Sequence, residues 1–416
     1  MRLQVGLKLA AVVVSIGIGA PVALAEPVTA ERVATLPAAE QAAWQAYLAK
    51  STATAAADAA ALDAEVAASG MTGAMKAPDG GDFKVEAKPG DPYYASAEAG
   101  TLADVVISYQ APSGGWSKHT GYSKGSRQPG TQWSSQYEPG HSPHYLGTFD
   151  NRSTTEQLQY LAKVWQATQR EDCKAAFVKG LRYVLAAQYP NGGWPQVYPL
   201  EGDYHDCVTL NDDAMAHILD LLYGIEKGEP RFAFLGEEER QQAGAALQSG
   251  LQCIATMQVE QGGKKTGWCA QHDAITLKPT GARAMEPATL SGLESARLVK
   301  FLMTMSQPSP ELKQVIEDGL AWLDAIKITG LMKTKIDGKT AYVADPASTE
   351  IYWARFYDLA TSKPVFPGRD GVLYPTFEAM AAKNKLGYDF YTTLPGSIVT
   401  NGQKKWLKML AKEAGG

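Results

Sequence analysis

The sequence is poor in the residues that bind soft metal ions, with four cysteines and six histidines among 416 residues. No two cysteines stand at a C-x-x-C spacing. His141 and His144 lie close together, but the sequence offers them no partner at a ligand spacing. A structural zinc site is therefore not expected.

The four cysteines leave the disulfide state open. Two pairings, Cys173 with Cys207 and Cys253 with Cys269, would each join a loop to a neighbouring helix. An oxidising compartment permits such bonds, and buried free thiols are an equal alternative.

The sequence has no excess of basic residues. It contains 39 Lys and Arg and 44 Asp and Glu, which give a formal net charge of −5. Without Arg2 and Lys8, which lie in the leader described next, the charge becomes −7. Such a chain has little attraction for nucleic acid. An acidic polymer would be repelled at long range too, unless a basic cleft or a bound cation reverses the local field.

After the N-terminus, no apolar run is long enough to span a bilayer. Residues 1–25 have the form of a secretory signal peptide, with Arg2 and Lys8, an apolar stretch over residues 9–24, and the cleavage motif Ala23-Leu24-Ala25. We therefore predict an exported protein, secreted or periplasmic, that acts as a monomer and binds neither membrane nor nucleic acid.

The segment that follows the leader differs from the rest of the chain. Residues 26–70 are rich in alanine and predict a small helical hairpin, and residues 71–92 are rich in Gly, Pro and Asp and predict a linker. Residues 93–416 are predicted to form the main domain.

The main domain contains a repeat, in which an amphipathic helical stretch ends at a glutamine and a glycine-rich loop then leads to a tryptophan. The Gln and Trp pairs are Gln110 and Trp116, Gln188 and Trp194, and Gln258 and Trp268. Successive tryptophans are 78 and 74 residues apart, which is enough for two helices. Each hairpin would bury its apolar stripe against its neighbours, so the repeat predicts a mainly α ring of helical hairpins. Looser, partly extended structure is expected in the last third.

Polar residues follow each tryptophan, near the start of the next helix. They are Asp150 and Asn151, then Asn211, Asp212 and Asp213, and then Arg283 and Glu286. Equivalent loops of a helical ring lie at the same end, so Asp150, Asn151, Asp212 and Arg283 should converge. Carboxylate and amide oxygens are ligands that a hard cation such as Ca²⁺ prefers.

This set of residues fits β-elimination from a uronic-acid polymer. A bound cation can neutralise a substrate carboxylate and acidify the neighbouring proton. An arginine is a weak candidate for a base, but it can remove that proton when it is desolvated, crowded by cations and working at alkaline pH.

Six motifs occur in order over residues 95–395. They are Thr148-Phe149-Asp150-Asn151, Gly192-Gly193-Trp194-Pro195-Gln196 with Tyr198-Pro199, Asn211-Asp212-Asp213-Ala214-Met215, Trp268-Cys269-Ala270-Gln271-His272-Asp273, Ala282-Arg283 with Glu286, and Trp353-Ala354-Arg355-Phe356-Tyr357-Asp358. Together they resemble polysaccharide lyase family 10, the pectate lyases. The resemblance implies an α/α toroid, an (α/α)₃ barrel, and calcium-dependent endo-cleavage of polygalacturonate.

The resemblance also implies roles for single residues. Arg283 falls on the catalytic base, and Arg355 and Arg369 fall on arginines that bind substrate carboxylates, to which two N–H groups of one arginine are well suited. The calcium and substrate cluster is formed by Asp150, Asn151 and Asp212. The segment Lys383-Asn384-Lys385, before Gly387, departs from the arginine-rich pattern of relatives, which puts one subsite contact in doubt.

Several of these residues have simpler interpretations. Trp194 and Tyr198 could stack on sugar rings or line the cleft, and Trp116 could equally be a core side chain. Lys118 is a further candidate substrate contact. Asp213 is interpreted as a helix cap, and Arg283 taken alone would be a surface arginine paired with Glu286.

Other functions would use the same residues differently. An inverting glycoside hydrolase could employ Asp150 and Asp212 as acid and base, would need no calcium and would give saturated products. A terpene-cyclase-like toroid would need an apolar cavity, for which an exported acidic protein is a poor setting. A non-catalytic pectin-binding protein would keep Arg355 and Arg369 without depending on Arg283.

Overall fold

The structure, a computed structural model, describes residues 25–88, 90–136, 144–336, 338–385 and 389–415. The predicted signal peptide lies outside these residues except for Ala25, and so do His141 and Gly387. Across the described ranges, no helix combines the length and the apolar character that crossing a membrane requires.

The described chain is mostly helical. Its helices are α1 (Ala30–Val33), α2 (Ala38–Ala68), α3 (Ala97–Ser108), α4 (Thr155–Thr168), α5 (Glu171–Ala187), α6 (Ala214–Glu226), α7 (Glu237–Met257), α8 (Gly292–Leu302), α9 (Pro310–Ala325), α10 (Phe377–Ala381), α11 (Leu394–Ser397) and α12 (Gln403–Gly415).

The strands are short and pair antiparallel. They are β1 (Val208–Thr209), β2 (Glu260–Gln261), β3 (Lys264–Lys265), β4 (Gln271–His272), β5 (Pro279–Thr280), β6 (Leu290–Ser291), β7 (Leu331–Ile336), β8 (Lys339–Ala344), β9 (Trp353–Ala354), β10 (Phe356–Tyr357), β11 (Phe366–Pro367), β12 (Leu373–Tyr374) and β13 (Tyr391–Thr392). The pairs are β1 with β4, β4 with β5, β2 with β3, β6 with β10, β7 with β8, β9 with β13, and β11 with β12.

The long helices form two layers of a ring. Helices α4 and α5, α6 and α7, and α8 and α9 pack as hairpins. The inner layer places α6 between α4 and α8, and the outer layer runs through α3, α5, α7 and α9. Helix α6 is apolar on nearly every side because it is covered by both layers. The predicted α/α toroid is confirmed.

The repeated tryptophans and glutamines join the hairpins. Each indole N–H donates to a carbonyl of the preceding outer helix, from Trp116 to Val106 at 2.8 Å, Trp194 to Val184 at 2.9 Å, and Trp268 to Ile254 at 2.8 Å. Each glutamine amide donates to a carbonyl of the next outer helix, from Gln110 to Ala176, Gln188 to Ala246, and Gln258 to Val315. These bonds satisfy carbonyl groups that a buried surface would otherwise leave unpaired.

The structure contains one more member of this series than the repeat predicted. The indole N–H of Trp353 donates to the carbonyl of Leu323 in α9 at 2.7 Å, in the manner of the other three tryptophans. Trp353 lies thirty residues after Leu323, and the β7–β8 hairpin stands between them. Because of this insertion, Trp353 does not follow its outer helix at the short spacing by which the other three tryptophans were recognised.

The N-terminal segment corrects one prediction. Residues 38–68 form the single continuous helix α2 instead of a hairpin, because the alanine-rich run contains no glycine or proline before Gly70. The Trp44 ring lies 5.1 Å from that of Tyr189, and the Tyr47 hydroxyl donates to the carbonyl of Ala187 at 3.0 Å. Helix α2 thus packs directly on the toroid.

The last third of the chain positions Arg355, one of the predicted site residues. Strand β10 pairs with β6 immediately before α8, and the N–H of Gly292 donates to the carbonyl of Arg355 at 3.1 Å. The backbone of Arg355 is therefore held at the N-terminus of an inner helix.

Candidate active site

Two equivalent turns begin the inner helices α4 and α6. Asp150–Arg152 and Asn211–Asp213 each form one turn of 3-10 helix, and the two turns contact each other. The middle residues, Asn151 and Asp212, both have a φ of 51°. Asn and Asp tolerate this left-handed conformation better than other non-glycine residues do.

Asp150 is held rigidly. Its N–H donates to Thr148 Oγ1 at 3.0 Å, and that hydroxyl donates to the carbonyl of Gln196 at 2.7 Å. Asp150 Oδ2 accepts from Lys118 Nζ at 2.6 Å. The other oxygen, Oδ1, is buried and has no hydrogen-bond partner among the described residues. A buried oxygen left without a donor is costly, and a cation would satisfy it.

Asp212 lies in a negatively charged environment. Its Oδ2 accepts from the side-chain amide of Asn211 at 2.8 Å. Burial raises the pKa of Asp212, and the charges of Asp150 and Glu294 raise it further. Repelling carboxylates at one helix mouth stabilise a bound cation, which removes the repulsion.

Asp213 stands at the N-cap position of α6, as its interpretation as a cap requires, but its side chain does not cap the helix. It has a φ of 61°, and its side chain makes no capping hydrogen bond to α6. Its Oδ2 instead accepts from Arg297 Nη1 of α8 at 3.0 Å. Burial raises the pKa of Asp213 to about 6, against the opposing effect of Arg297.

Arg283 forms a bidentate pair with the buried carboxylate of Glu286. Its Nε and Nη2 donate to Oε2 and Oε1 of Glu286 at 2.8 and 2.5 Å. Glu286 is 6 % exposed, whereas half of the Arg283 side chain faces solvent. Hydrogen bonding to Glu286 raises the pKa of Arg283. The simple interpretation, an arginine paired with Glu286, thus describes its contact correctly.

Two observations bear on the predicted convergence of Asp150, Asn151, Asp212 and Arg283. Asn151 and Asp212 line the same cleft, and the charges of Asp150 and Arg283 both act on the Tyr204 hydroxyl. A single site formed by all four residues stays a prediction.

The two other arginines occupy different places. Arg355 Nη2 lies 3.3 Å from Asn211 Oδ1 and 3.3 Å from Glu294 Oε1, between the mouths of α6 and α8. Arg369 is exposed in a turn and lines a small pocket with Met285, two residues from Arg283. Asn384 and Lys385 line the same pocket. They belong to the segment Lys383-Asn384-Lys385, which differs from the arginine-rich pattern of relatives.

The prediction that Trp194 and Tyr198 contact substrate is wrong for this structure. Each is 1 % exposed, so neither ring offers a face to a sugar. Trp194 is fixed by its indole bond to α5, and the Tyr198 ring lies 5.9 Å from that of Tyr47 in α2. Trp116, which is fully buried, is a core residue as well. The aromatic residues of the repeat therefore belong to the hydrophobic core of the toroid.

Sequence reasoning missed the tyrosines of the site. Lys118 Nζ lies 3.6 Å above the Tyr145 ring, and the Tyr145 hydroxyl is 3.3 Å from that of Tyr204. Glu294 was missed too, although Ser291 and Glu294 have the spacing of a capping box and Ser291 Oγ accepts from the Glu294 N–H at 3.3 Å.

A cleft of about 610 Å³ runs beside the acidic turns. Its walls come from both turns, from α6 and α8, and from Asp82 of the predicted linker. The four cysteines contribute nothing to it, since all four are buried free thiols.

The oxygen atoms at the helix mouths fit a hard cation. Asp150 offers an unpaired buried oxygen, and Asp212 offers a carboxylate destabilised by its neighbours. Asn151 adds an amide oxygen from the same cleft. This donor set is chemically suited to Ca²⁺ and poorly suited to a soft metal.

Comparison with known proteins agrees with this architecture. The model of the family described as Pectic acid lyase matches residues 110–399. A solved family 10 polysaccharide lyase from Cellvibrio cellulosa has a TM-score of 0.65 and 30% sequence identity, over 78% of this chain and 98% of that one. An Asp-to-Ala mutant of the family 10 polysaccharide lyase from that organism, in complex with trigalacturonic acid, has a TM-score of 0.65 and 31% identity, over 75% of this chain and 95% of that one. No curated protein sequence matches the chain.

Proposed function

The chain belongs to the pectic acid lyase family and is a pectate lyase, and from this premise we propose that it cleaves internal bonds of polygalacturonate by calcium-dependent β-elimination. The observation that carries the proposal is that Asp150 and Arg283 are both near enough to Tyr204 for their charges to act on its hydroxyl. It supports a site in which an acidic cluster and an arginine act on one substrate. The trigalacturonic acid bound to the similar Cellvibrio cellulosa mutant supports the choice of polymer.

Asp150, Asn151 and Asp212 would hold the calcium ion. When bound, the ion would supply positive charge next to the uronate carboxylate and stabilise the charge that develops on it. The buried oxygen Oδ1 of Asp150 supports this assignment, because it needs either a donor or a cation.

Arg283 would remove the proton from C5 of the sugar. The C5–H electrons form the C4–C5 double bond, the C4–O bond breaks, and the departing oxygen takes a proton from water. Glu286 opposes this role by raising the pKa of Arg283, so the reaction requires alkaline pH and positive charge nearby. Glu286 also fixes the guanidinium orientation through two hydrogen bonds.

Arg355 and Arg369 would pair with the carboxylates of flanking uronates. Arg355 lies at the mouths of α6 and α8, and Arg369 stands exposed near the Arg283 loop. Lys118 would contact substrate only indirectly, because it is engaged by Asp150 and the Tyr145 ring. Its part is to hold Asp150.

The test is ultraviolet absorbance of the unsaturated product from polygalacturonate at alkaline pH, with calcium and then with chelator. A calcium-dependent rise is expected, and the early products should span many lengths if internal bonds are cleaved. New reducing ends without absorbance would mean hydrolysis by Asp150 and Asp212 instead.

We further propose that the protein is exported, that it acts as a monomer, and that residues 93–416 form its catalytic domain. The N-terminal leader pattern in residues 1–25 supports export. Sequencing the N-terminus of the mature protein and measuring its mass in solution would test the first two statements. Activity of a chain that begins at residue 93 would test the third.

A further inference from the structure

A second cluster of ligating side chains lies next to the acidic turns. His144, Glu201 and His205 each present one ligand atom, and these atoms lie within 4.8 Å of one another. His144 precedes the Asp150 turn, whereas Glu201 and His205 flank the start of another loop, more than fifty residues later. Only the fold brings them together, which is why the sequence offered His144 no partner.

Glu201 directs one carboxylate oxygen into this cluster. Its Oε1 accepts from the N–H of Tyr145 at 2.6 Å, which fixes the carboxylate. Its Oε2 is buried and forms an ion contact with Nδ1 of His144. A histidine and a carboxylate held against each other in this way can both turn their ligand atoms to one metal ion.

His205 is buried and held in a fixed orientation. It is 4 % exposed, and its Nε2 lies 2.8 Å from the Tyr145 hydroxyl, which holds the ring in place. A hydrogen bond to one ring nitrogen orients an imidazole so that the other nitrogen can bind a metal ion.

We propose that His144, Glu201 and His205 bind a divalent ion of the zinc class, with one coordination position left open. Two imidazoles and one carboxylate are a ligand set that Zn²⁺ accepts in open sites. Calcium prefers oxygen ligands, so this site is chemically distinct from the acidic cluster.

The geometry needs only a small shift of His144. Ligand atoms around tetrahedral zinc are roughly 3.4 Å apart, given bonds of about 2.0–2.1 Å. The three ligand atoms already lie within 4.8 Å of one another. The His144 side chain, of which 43% faces solvent, can open its close contact with Glu201 to reach this spacing. Glu201 and His205 would remain where Tyr145 holds them.

An ion in this position would act on the active site through Tyr145. Both Glu201 and His205 contact Tyr145, and its ring lies under Lys118, which holds Asp150. The ion would therefore fix a positioning contact of the acidic cluster. Binding of the ion does not depend on the proposed lyase mechanism.

The test is a titration of chelator-treated, full-length protein with Co²⁺, which gives visible absorption when bound by imidazole and carboxylate. One equivalent should bind per chain, and Zn²⁺ should displace it. Excess Ca²⁺ should leave the absorption unchanged. Displacement of Co²⁺ by Ca²⁺ would place the ion in the acidic cluster and overturn the proposal.

Two variants should abolish the absorption, His144→Ala and Glu201→Gln, and both alter side chains outside the core. His119→Asn is the matched control, because His119 contacts Asp82 and lies outside the cluster. Circular dichroism would show that each variant is folded. Unchanged Co²⁺ absorption in folded variants, or none in the wild type, would mean that His144 and Glu201 form only an ion pair, and the proposal would fall.

Discussion

Arg283 and Glu286 form a bidentate pair in which Nε and Nη2 donate to the two carboxylate oxygens at 2.8 and 2.5 Å. The partners differ in exposure, because Glu286 is buried and Arg283 is half-exposed. Glu286 thus orients the guanidinium and also raises its pKa. The same residue supports the geometry of the proposed base and opposes its deprotonation.

Replacing Arg283 should remove turnover while leaving the fold intact. We expect Arg283→Ala to lower kcat by about 10²–10⁴-fold, because a positioned proton acceptor contributes that much. Arg283→Lys should not restore it, since one ammonium group cannot make the two-pronged contact. Product absorbance and circular dichroism are the measurements. Near-normal activity in Arg283→Ala would exclude this residue as the base.

Replacing Glu286 by glutamine should change the pH profile. Removal of the carboxylate charge lowers the pKa of Arg283, so the alkaline rise of kcat/KM should begin at lower pH. The plateau should also fall, because one of the two orienting bonds is weakened. A plateau that falls without a shift of the profile would mean that Arg283 does not titrate in the reaction.

Asp212→Ala should act mainly on calcium use. We expect the Ca²⁺ concentration for half-maximal activity to rise about tenfold or more, because one carboxylate ligand is lost. Asp63→Asn is the matched control, an exposed carboxylate of α2 whose loss should change nothing. Calcium binding by calorimetry checks both variants. Equal affinity in Asp212→Ala and in the wild type would remove Asp212 from the metal site.

The two glycines of α7 should differ in their tolerance of alanine. A Cβ at Gly250 would lie 2.8 Å from the Trp194 ring and 2.6 Å from Leu219, so Gly250→Ala should lose about 1–3 kcal/mol of unfolding free energy. A Cβ at Gly244 would meet only the flexible end of Glu226 at 3.3 Å, and Gly244→Ala should be neutral or gain up to about 1 kcal/mol. Urea unfolding measures the difference, and equal effects would refute the packing argument.

His272 should make the protein sensitive to acid. Its Nδ1 donates to the carbonyl of Leu277 at 2.9 Å, and its Nε2 accepts from the N–H of Cys269 at 3.1 Å, an arrangement that only neutral imidazole allows. Burial lowers its pKa to about 4 from an ordinary value of 6.5. Its contribution is therefore complete above about pH 6.5 and is lost as pH falls towards 4, by about 3 kcal/mol.

The matched variant for this effect is His272→Gln. Glutamine keeps a donor and an acceptor but does not titrate, so the fall in unfolding free energy between pH 7 and pH 4.5 should be smaller than in the wild type. An identical fall in both proteins would assign the acid sensitivity to other groups.

Much of the architecture was readable from the sequence. The Gln and Trp repeats predicted a ring of helical hairpins. They could do so because the helical spacing of apolar residues and the position of glycine-rich loops are both local properties of the sequence. The same periodicity predicted that Asp150, Asn151, Asp212 and Arg283 gather at one end of the ring. Local reasoning failed at α2, where an alanine-rich run continued as one helix, and at Trp194, where an aromatic residue beside a cleft proved to be core.

The sequence by itself thus determined the hairpin ring and the end at which its polar residues gather, since both follow from spacing along the chain. Only the tertiary structure decided which groups touch. It placed Asp213 on Arg297 instead of its own helix, Glu294 beside Asp212, and His144 beside Glu201. These pairings join segments that are distant in the sequence, so no pattern of neighbouring residues predicts them. Their energies depend on burial and on unpaired charge, which only the folded structure defines.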